Sequence, residues 1–450
     1  MNTNMKDAKA FVKVSPRDSR YLELDNGKPY VPIGLNLVGS PDPQDYEKVL
    51  NTMAQNRLNY CRVWLNHGSF DIERERSGVF DKAAANNLGK FLVLAGERGI
   101  RVKLCLEYFR AVTAKKNDFF DSTLHHQANG GPFTDMEDFL RSAKGLAQFK
   151  EKLAWYRRRI GDNPAVFAWE LWNEMNCVGP ISVWAPWTRR MLAELHRLFP
   201  KNMAVQSLGS FDRQEFRCMY GVLVTLAGND VAQVHRYLDL GAQWDVCHGP
   251  VDFLAAEAVR ELQALGPEKP IILAESGAVE PCHSGPFKLY QKDKEGVLLH
   301  DLIWAPFMAG AAGPGQSWHW DKYVQPNKLW WHFARFAGAI EGIDPPAEKF
   351  EPVMIEHPRL RIYVLRGKKT VLAWCRDRQD DWRSELQEGK APETLAHVTV
   401  DLSSCLSSPA GWKVRAYNPW TGAWQALKPD AADIILPPFS RSLALRMEVE

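Results

Sequence analysis

Short apolar runs alternate with amphipathic segments between residues 31 and 342. Eight of the runs have the length and composition of buried strands. They are VPIGLNLV (31–38), YCRVWLN (60–66), RVKLCLEY (101–108), VFAWELWNE (166–174), MAVQSLGS (203–210), VAQVHRYL (231–238), PIILAESG (270–277) and GQSWHW (315–320). Segments with helical periodicity lie between them, such as 42–56, 83–98, 138–160, 181–198, 252–264 and 328–341. This alternation predicts an α/β fold, a (β/α)8 TIM barrel over 31–342, because a doubly wound sheet rarely needs eight such units.

The chain has a different pattern on either side of this segment. Residues 1–30 are typical of a strand pair attached to the barrel, with DNGKP as its turn. A Pro-rich, charged linker occupies 343–352, and 353–450 carries alternating runs separated by turn signals such as RGKK and WTGA. The alternation predicts a smaller C-terminal antiparallel β-sandwich domain. Two domains also suit a chain of 450 residues, since a single core stops growing at about 250 to 300.

Composition and charge narrow the class of protein. Hydrophobic residues make up 45%, charged residues 24%, and the formal net charge is +2, as in a soluble globular protein. Such a charge gives no support for nucleic acid or a membrane as a partner, and no apolar run reaches the roughly 18 residues that span a bilayer. The start, MNTNMKDAKAFVKV, lacks the features of a secretory signal. We expect a cytoplasmic location, or a secreted one if a signal peptide was removed.

Cysteine and tryptophan usage adds two expectations. The eight cysteines are scattered and contain no CxxC pair, which predicts reduced thiols instead of disulfides or a zinc site. Seventeen tryptophans exceed what a core needs. Core packing explains many of them, but aromatic faces also stack on the apolar faces of sugars. The composition therefore points to carbohydrate as one candidate ligand.

Polar and aromatic residues collect where the predicted strands end, and a TIM barrel carries its active site at that face. They are Asn36, Arg62 to Asn66, Glu107, Asn173, Glu174, Ser207, His235 to Tyr237, Glu275 and Trp318 to Trp320. The carboxylates Glu174 and Glu275 end the fourth and seventh strands, which face each other across the mouth of a closed barrel. Glycosidic bond hydrolysis needs one carboxylic acid and one carboxylate. The pair therefore predicts a glycoside hydrolase.

The motifs WELWNE and ILAESG resemble those of clan A glycoside hydrolases. The order of strand motifs from residue 24 to about 342 is most similar to glycoside hydrolase family 5, with its mannanase-like and cellulase-like members. The C-terminal β-sandwich is not a general feature of that family. The resemblance implies that Glu174 is the acid/base and Glu275 the nucleophile of a retaining double displacement.

The same resemblance implies roles for five other residues. Arg62 would keep the nucleophile ionised, and Asn173 would hydrogen-bond the sugar 2-hydroxyl. His235 and Tyr237 match a His-x-Tyr motif whose Tyr hydroxyl bonds the nucleophile. Trp318 would form the floor of the sugar subsite. The ordered set is a stronger signal than the Asn-Glu pair alone.

Three more strand-end residues are candidates for substrate-binding or supporting roles: Asn36, Glu107 and Trp320. Many members of the family have a His near the end of the third strand, where LCLEYF here offers Glu107 and Tyr108. This departure leaves the contacts of the central sugar subsite open.

Glu170 is a further carboxylate in the FAWELWNE run. In a strand without a bulge, positions 170, 172 and 174 point to one side. Glu170 would then lie inside the barrel below Glu174, where a partner such as Arg62 could neutralise it. We expect a structural role for Glu170 because a buried carboxylate needs a partner.

Two other regions carry functional candidates. The loop from 110 to 137 is long, which is typical of a lid or binding loop. His125 and His126 within it are more typical of solvent-facing residues or sugar contacts than of metal ligands. Trp420 and Trp424 in the C-terminal domain could form a carbohydrate platform, although packing against the barrel is the favoured interpretation.

The sequence as a whole predicts an O-glycosyl hydrolase of carbohydrate metabolism. We expect a retaining enzyme that acts on β-linked manno- or gluco-oligosaccharides, with no metal and no cofactor. A secreted endo-β-mannanase or cellulase acting on polysaccharide, a transglycosylase, and a non-catalytic carbohydrate-binding barrel remain as alternatives. The two intact carboxylates favour catalysis over binding alone, and the oligomeric state stays open.

Overall fold

The computed structural model describes residues 5–38, 42–117, 123–405, 411–428 and 433–449. Within these ranges no helix has both the length and the apolar character needed to cross a membrane.

Seven parallel strands surround the core of the larger domain in the described part of the chain. They are β4 (Gly34–Asn36), β5 (Tyr60–Trp64), β6 (Arg101–Glu107), β7 (Val166–Trp172), β8 (Met203–Val205), β9 (Ala232–Asp239) and β10 (Ile271–Val279). Strands β4 to β8 pair in chain order, and β9 pairs with β10. Ser317 bridges both Leu35 of β4 and Ser276 of β10. The amide of Asp230, which precedes β9, donates to Ala204 O of β8 at 3.0 Å. The eighth predicted strand is thus reduced to one bridging residue.

The α-helices of the described residues are α1 (Met5–Ala8), α2 (Tyr46–Gln55), α3 (Lys82–Glu97), α4 (Met136–Arg141), α5 (Ala143–Ile160), α6 (Ile181–Leu198), α7 (Arg217–Thr225), α8 (Val251–Gln263), α9 (Val297–Met308), α10 (Trp331–Ala339) and α11 (Pro345–Glu348). Helices α2 to α8 separate these strands in the chain, and α9 and α10 follow the last strand, in agreement with the predicted (β/α)8 architecture. Two short helices, α1 and α11, lie outside this series. The helix predicted over 138–160 is two helices, because Ser142 caps the second one: its hydroxyl accepts from Gly145 N at 3.1 Å.

Antiparallel strands form the two ends of the chain. They are β1 (Val12–Val14), β2 (Leu22–Leu24), β3 (Pro29–Tyr30), β11 (Glu351–Ile355), β12 (Leu360–Arg366), β13 (Thr370–Asp377), β14 (Thr394–Leu395), β15 (Thr399–Asp401), β16 (Trp412–Asn418), β17 (Ala423–Leu427), β18 (Asp433–Ile435), β19 (Phe439–Ser440) and β20 (Ser442–Val449). The first three form one small sheet, and the C-terminal domain has a six-stranded sheet in the order β11-β12-β13-β20-β16-β17. Two short pairs, β14-β19 and β15-β18, share a second hydrophobic core with that sheet. The segment 343–352 contains α11 and the start of β11.

Helix α9 lies between the two domains. Every residue from Val297 to Met308 is buried, and the helix contacts β10 on the barrel side and β12 and β13 on the other. A helix that is covered all round has no polar face. This is why hydrophobic periodicity does not reveal it in the sequence.

Buried ion pairs join the domains across this interface. Arg361 of β12 donates to both oxygens of Asp252 in α8, at 2.5 and 2.8 Å, and Tyr363 donates to the same carboxylate at 2.8 Å. Arg376 of β13 bonds Asp301 of α9 in the same way, at 2.8 and 3.3 Å. These contacts fix the β-sandwich on the flank of the barrel.

The cysteines and the C-terminal tryptophans lie in defined environments. All eight cysteines are free thiols. Trp420 packs on the barrel, since its ring centroid lies 4.4 Å from that of His300 in α9. Its indole N–H donates to Ser442 Oγ of its own domain at 3.1 Å. Trp424 is 37% exposed and packs on Tyr417. The packing interpretation therefore holds for Trp420.

Candidate active site

Arg62 on β5 is the centre of a buried hydrogen-bond network. Its Nε and Nη2 donate to the two oxygens of Glu170 at 2.6 and 3.1 Å. Nη2 also donates to Asn173 Oδ1 at 2.7 Å, and Nη1 donates to Glu275 Oε1. A shared guanidinium offsets the cost of burying both carboxylates. Glu170 is therefore a partner of Arg62, as predicted for its structural role.

The end of β7 departs from regular strand geometry. Glu170 and Asn173 both reach Arg62 inside the barrel, whereas Trp172 packs against Trp187 of the surrounding helix α6, with ring centroids 5.9 Å apart. Glu174 adopts a left-handed conformation, with φ 52° and ψ 56°. Positions 170, 172 and 174 would share one side only in a strand without a bulge, and this condition is not met because the backbone leaves the two-residue period here.

Glu275 on β10 has both carboxylate oxygens bonded. Arg62 donates to Oε1, and the Tyr237 hydroxyl of β9 donates to Oε2 at 2.8 Å. The pairing of β9 with β10 shifts by one residue between Leu273 and Glu275, and an irregularity of this kind re-aims a side chain. Glu275 is 3% exposed, so these two donors define its environment.

Glu174 lies beside Glu275 at the same end of the barrel. His235 Nδ1 is 2.7 Å from Glu174 Oε1 and 3.4 Å from Glu275 Oε2. One oxygen of each carboxyl and the histidine nitrogen all lie within 4.8 Å of one another. Retaining glycosidases separate their two carboxyl groups by about 5 to 5.5 Å, and inverting ones by about 6.5 to 9.5 Å. The short distance between these oxygens favours the retaining arrangement.

The two carboxyls have different surroundings. Burial, and then repulsion from Glu275, raise the pKa of Glu174 well above its ordinary value. Burial also raises the pKa of Glu275, but Arg62 and the hydrogen bond from Tyr237 act in the opposite direction. Glu275 therefore loses its proton first. Glu174 keeps its proton while Glu275 is ionised.

His235 is a neutral imidazole in this site. Burial and the nearby charge of Arg62 hold its pKa well below the ordinary value. Its Nε2 is buried without a hydrogen-bond partner among the described residues. A buried N–H without an acceptor is costly, so the proton belongs on Nδ1, which donates to Glu174 Oε1. The acidic proton of Glu174 is then on Oε2, the oxygen 3.9 Å from Cys177 Sγ.

The carboxyls open into a cleft of about 550 Å³. Its lining comprises Trp64, Phe109, Asn173, Glu174, Asn176, Cys177, Gly209, Ser210, Asp212, Arg213, Phe216, Tyr237, Asp239, Gly241, Ala242, Gln243, Glu275, Cys282, His283 and Trp318. Around the ring of strands, β8 and β9 lie on one side of the line from Glu174 to Glu275, and β4, β5 and β6 lie on the other. The cleft therefore has two sides, and each is formed by a different set of strands.

The side formed after β5, β6 and the Ser317 bridge is aromatic. Trp64, Phe109 and Trp318 line it, and the rings of Trp64 and Trp318 are 5.1 Å apart. Trp318 N donates to Ser276 O at 2.8 Å, which places this tryptophan next to Glu275. Such a surface can stack against a sugar ring.

Two of the further candidates are buried and do not belong to the lining of the cleft. Asn36 is buried, and its amide donates to Ala274 O at 2.9 Å while its oxygen accepts from Arg62 at 3.2 Å. The Trp320 indole donates to Val38 O at 3.1 Å. Asn36 thus supports Arg62, and Trp320 anchors the start of the loop after β4.

Glu107 also lies outside the cleft lining, in a separate buried ion cluster. Lys152 bonds Glu107 Oε1 and approaches Glu73 at 3.1 Å. Asn66 donates to Glu107 Oε2 at 2.9 Å, and Arg110 Nε is 3.6 Å from the same oxygen. Strand position alone could not show that a helix lysine would neutralise this carboxylate.

The long loop predicted over 110–137 lies partly outside the described residues. His125 is buried, and Ser77 Oγ is 2.6 Å from its Nδ1. Burial lowers the pKa of His125 to about 3. His126 Nδ1 accepts from Ala128 N at 3.0 Å. Each of the two histidines therefore has a ring nitrogen hydrogen-bonded to another residue of the protein.

Several cleft residues were not identified from the sequence. They are Cys177, Ser210, Asp212, Arg213, Phe216, Asp239 and His283. Most follow the strand ends by several residues, where pattern carries little information. A signal existed for Asp239, which lies two residues after Tyr237 on β9 and so on the same face.

Glu174, His235 and Glu275 are also a group of described residues close enough to hold a metal ion. However, a cation there would compete with Arg62 for Oε1 of Glu275 and with the Tyr237 hydroxyl for Oε2. The donor set suits an acid and nucleophile pair better than a metal centre.

No protein-family model matches the chain. A rice protein (Oryza sativa subsp. japonica) named mannan endo-1,4-beta-mannosidase 3 is 26% identical over 230 residues, which is 44% of this chain and 48% of that protein. The match therefore spans about half the length of this relative.

Solved structures resemble the chain over almost its whole length. One described as a glycoside hydrolase has a TM-score of 0.65 and 12% identity, and the match covers 99% of this chain and 98% of that one. A glycoside hydrolase family 5 structure from Bacteroides vulgatus ATCC 8482 has a TM-score of 0.61 and 13% identity, covering 99% and 94%. The predicted fold class is confirmed, and the structures with this fold include a member of family 5, the family that the strand motifs resemble.

Proposed function

We propose that this protein is a retaining β-glycoside hydrolase that acts on β-linked manno-oligosaccharides. The observation that carries this proposal is the pairing of Glu174 with Glu275, whose nearest oxygens lie within 4.8 Å. One carboxyl bonds a guanidinium and the other has a pKa raised well above its ordinary value. Two carboxyls with separated proton affinities are what a double displacement requires.

In the first step, the ionised Glu275 attacks the anomeric carbon of the sugar. Glu174 donates its Oε2 proton to the glycosidic oxygen as the bond to the leaving group breaks. Glu275 Oε1 keeps its contact with Arg62, so Oε2 is the oxygen that bonds the sugar. The Tyr237 hydroxyl, which donates to Oε2, is the hydrogen-bond donor that responds when this atom loses its negative charge. The product is a covalent glycosyl-enzyme.

In the second step, Glu174 acts as the base. It removes a proton from water, which attacks the anomeric carbon and releases the sugar with its original configuration. Loss of the charge on Glu275 in the intermediate removes the repulsion that raised the pKa of Glu174. The carboxyl is thus an acid in one step and a base in the next.

The sugar that is transferred lies on the aromatic side of the cleft. Trp318 beside Glu275 provides its stacking surface. Asn173 Oδ1 accepts from Arg62 at 2.7 Å, so the Asn173 amide N–H groups are the part left to bond a sugar hydroxyl. This arrangement accords with the role that the family resemblance implies for Asn173.

Mannosides are the proposed substrate class because of the rice relative, which is named for action on mannan. An endo-acting enzyme on polysaccharide is the second candidate. Product patterns distinguish them: an exo enzyme releases one sugar size throughout the reaction, and an endo enzyme releases mixed sizes from the start.

The test is hydrolysis of aryl β-glycosides and β-1,4-linked manno- and gluco-oligosaccharides, with products followed by NMR. The wild type should cleave mannosides fastest and release the β-anomer first. Glu275→Ala should lower kcat/KM by at least about 10⁴-fold, and Glu174→Ala by about 10² to 10⁴-fold.

Glu151→Gln is the matched control, since this side chain is exposed on α5 and should behave as wild type. Initial release of the α-anomer would contradict the retaining mechanism. Wild-type rates in Glu275→Ala would contradict the assignment of the nucleophile.

A further inference from the structure

A hydrogen-bonded chain of three residues crosses the polar side of the cleft. Asp239 at the end of β9 is 2% exposed, and its Oδ2 is 2.9 Å from His283 Nδ1. His283 Nε2 is 3.2 Å from Ser210 Oγ in the loop after β8. All three residues line the cleft. The mechanism derived above uses none of them.

The loop that carries His283 is held in a conformation that residues other than glycine seldom adopt. Cys282 and His283 have φ values of 60° and 56°. Asp239 Oδ1 fixes this turn by accepting from Cys282 N at 2.9 Å and from Gly241 N at 2.8 Å. A Cβ at Gly241 would be 2.5 Å from Cys282 N, so only glycine permits the approach. Backbone strain of this kind accumulates at functional sites.

These contacts determine which atom donates and which atom accepts in each hydrogen bond between Asp239, His283 and Ser210. The carboxylate of Asp239 accepts a hydrogen bond from the Nδ1–H of His283, which leaves Nε2 as an acceptor. The Ser210 hydroxyl then donates to Nε2. Its oxygen lone pairs remain for a ligand in the cleft, so Ser210 is set as an acceptor for a hydroxyl donor.

The chain lies on the side of the leaving group. Oε2 of Glu174, the oxygen that carries the acidic proton, is next to Cys177. A Cβ at Gly209, which precedes Ser210, would be 3.4 Å from Cys177 Sγ. The proton of Glu174 therefore faces the loop after β8, on the other side of the cleft from the aromatic residues.

We propose that Ser210, oriented by His283 and Asp239, binds a hydroxyl group of the leaving sugar and so selects carbohydrate leaving groups. This inference rests on the proposed hydrolase function. An aryl leaving group such as 4-nitrophenol has no hydroxyl to donate at this point. The contribution of Ser210 should then appear as a difference between two leaving groups on the same transferred sugar.

The experiment compares 4-nitrophenyl β-mannoside with a short β-1,4-manno-oligosaccharide for wild type, Ser210→Ala, His283→Phe and the double variant. Both single variants should lose at least about tenfold more kcat/KM on the oligosaccharide than on the aryl mannoside. The double variant should lose little more than either single one, because residues that act through one chain are not additive. Ser284→Ala, an exposed neighbour in the same loop, is the control.

Equal losses on both substrates would assign the chain a merely structural role and overturn the proposal. So would additive losses, or none. If the wild type releases acetate from an aryl acetate and Ser210→Ala does not, Ser210, His283 and Asp239 would instead act as a triad for acyl transfer, which would also overturn the proposal. If the wild type cleaves neither glycoside, the hydrolase function itself fails, which is a separate outcome.

Discussion

Arg62 donates two hydrogen bonds to the carboxylate of Glu170, at 2.6 and 3.1 Å, in the fully buried interior of the barrel. The same guanidinium bonds Glu275. Glu170 thereby affects Glu275, the proposed nucleophile, without contacting the cleft. Its charge raises the pKa of Glu275 in opposition to Arg62, so the two glutamates are coupled through one cation.

Glu170→Gln should shift the acidic limb of the kcat/KM profile to lower pH. Removal of one negative charge lets Arg62 favour the ionised form of Glu275, and activity requires that form. The same change breaks half of a buried ion pair and should cost about 3 kcal/mol of unfolding free energy. Both effects can be measured, by rates from pH 3 to 8 and by urea denaturation. An acidic limb that moves to higher pH would contradict the coupling.

Tyr237→Phe should have the opposite effect on the same limb. The hydroxyl donates to Glu275 Oε2 at 2.8 Å and favours its ionised form, so its loss raises the pKa of Glu275. A hydrogen bond to a charged group contributes about 1.5 to 3 kcal/mol, which corresponds to roughly 10 to 100-fold in kcat/KM. Tyr290→Phe is a comparison variant, because this buried tyrosine bonds the backbone of Ala278 and not Glu275; it should leave the limb in place.

Glu174→Ala should separate the two chemical steps when the leaving group is a reactive aryl group. Such a group departs without an acid, so the glycosyl-enzyme forms and then accumulates for lack of a base. Rapid mixing should show a burst of aryl product followed by slow turnover, and mass spectrometry should find the sugar on Glu275. A burst-free progress curve, with acceleration absent when azide is added, would remove Glu174 from the acid/base role.

The hydrogen bonds of Asp252 with Arg361 and Tyr363 join the two domains, so their loss should lower the free energy of unfolding. Arg361 is the main cause that lowers the pKa of Asp252 against the effect of burial. Asp252→Ala should cost about 3 to 5 kcal/mol at pH 7, measured by chemical denaturation. Glu257→Ala, on the same helix but paired only with Arg260 in the described structure, should cost far less.

The pH dependence of this contact follows from the lowered pKa. Its stabilisation is present above the ordinary Asp pKa of about 3.9 and is lost as pH falls through the lower pKa of the folded state. The difference in stability between wild type and Asp252→Ala should therefore shrink at acidic pH. A difference that grows on acidification would contradict the assigned direction.

The sequence by itself determined the fold class and the candidate residues of the site. Buried parallel strands are apolar along their length, so carboxylates at the ends of two such runs, Glu174 and Glu275, stood out against their surroundings. Chain order and the barrel rule then placed both on one face. Arg62 and Tyr237 were likewise assigned from motif order, and the structure bonds both to Glu275.

Only the tertiary structure decided which side chains meet. The left-handed turn at Glu174 is an irregularity of the backbone. The pairing of Glu107 with Lys152 depends on a helix residue that lies 45 positions away in the chain. The bridge from Ser210 to His283 joins positions 73 residues apart. Periodicity records the local burial of each residue, but ring closure and loop conformation set the distances between residues remote in sequence. The site's contacts are therefore a property of the closed barrel.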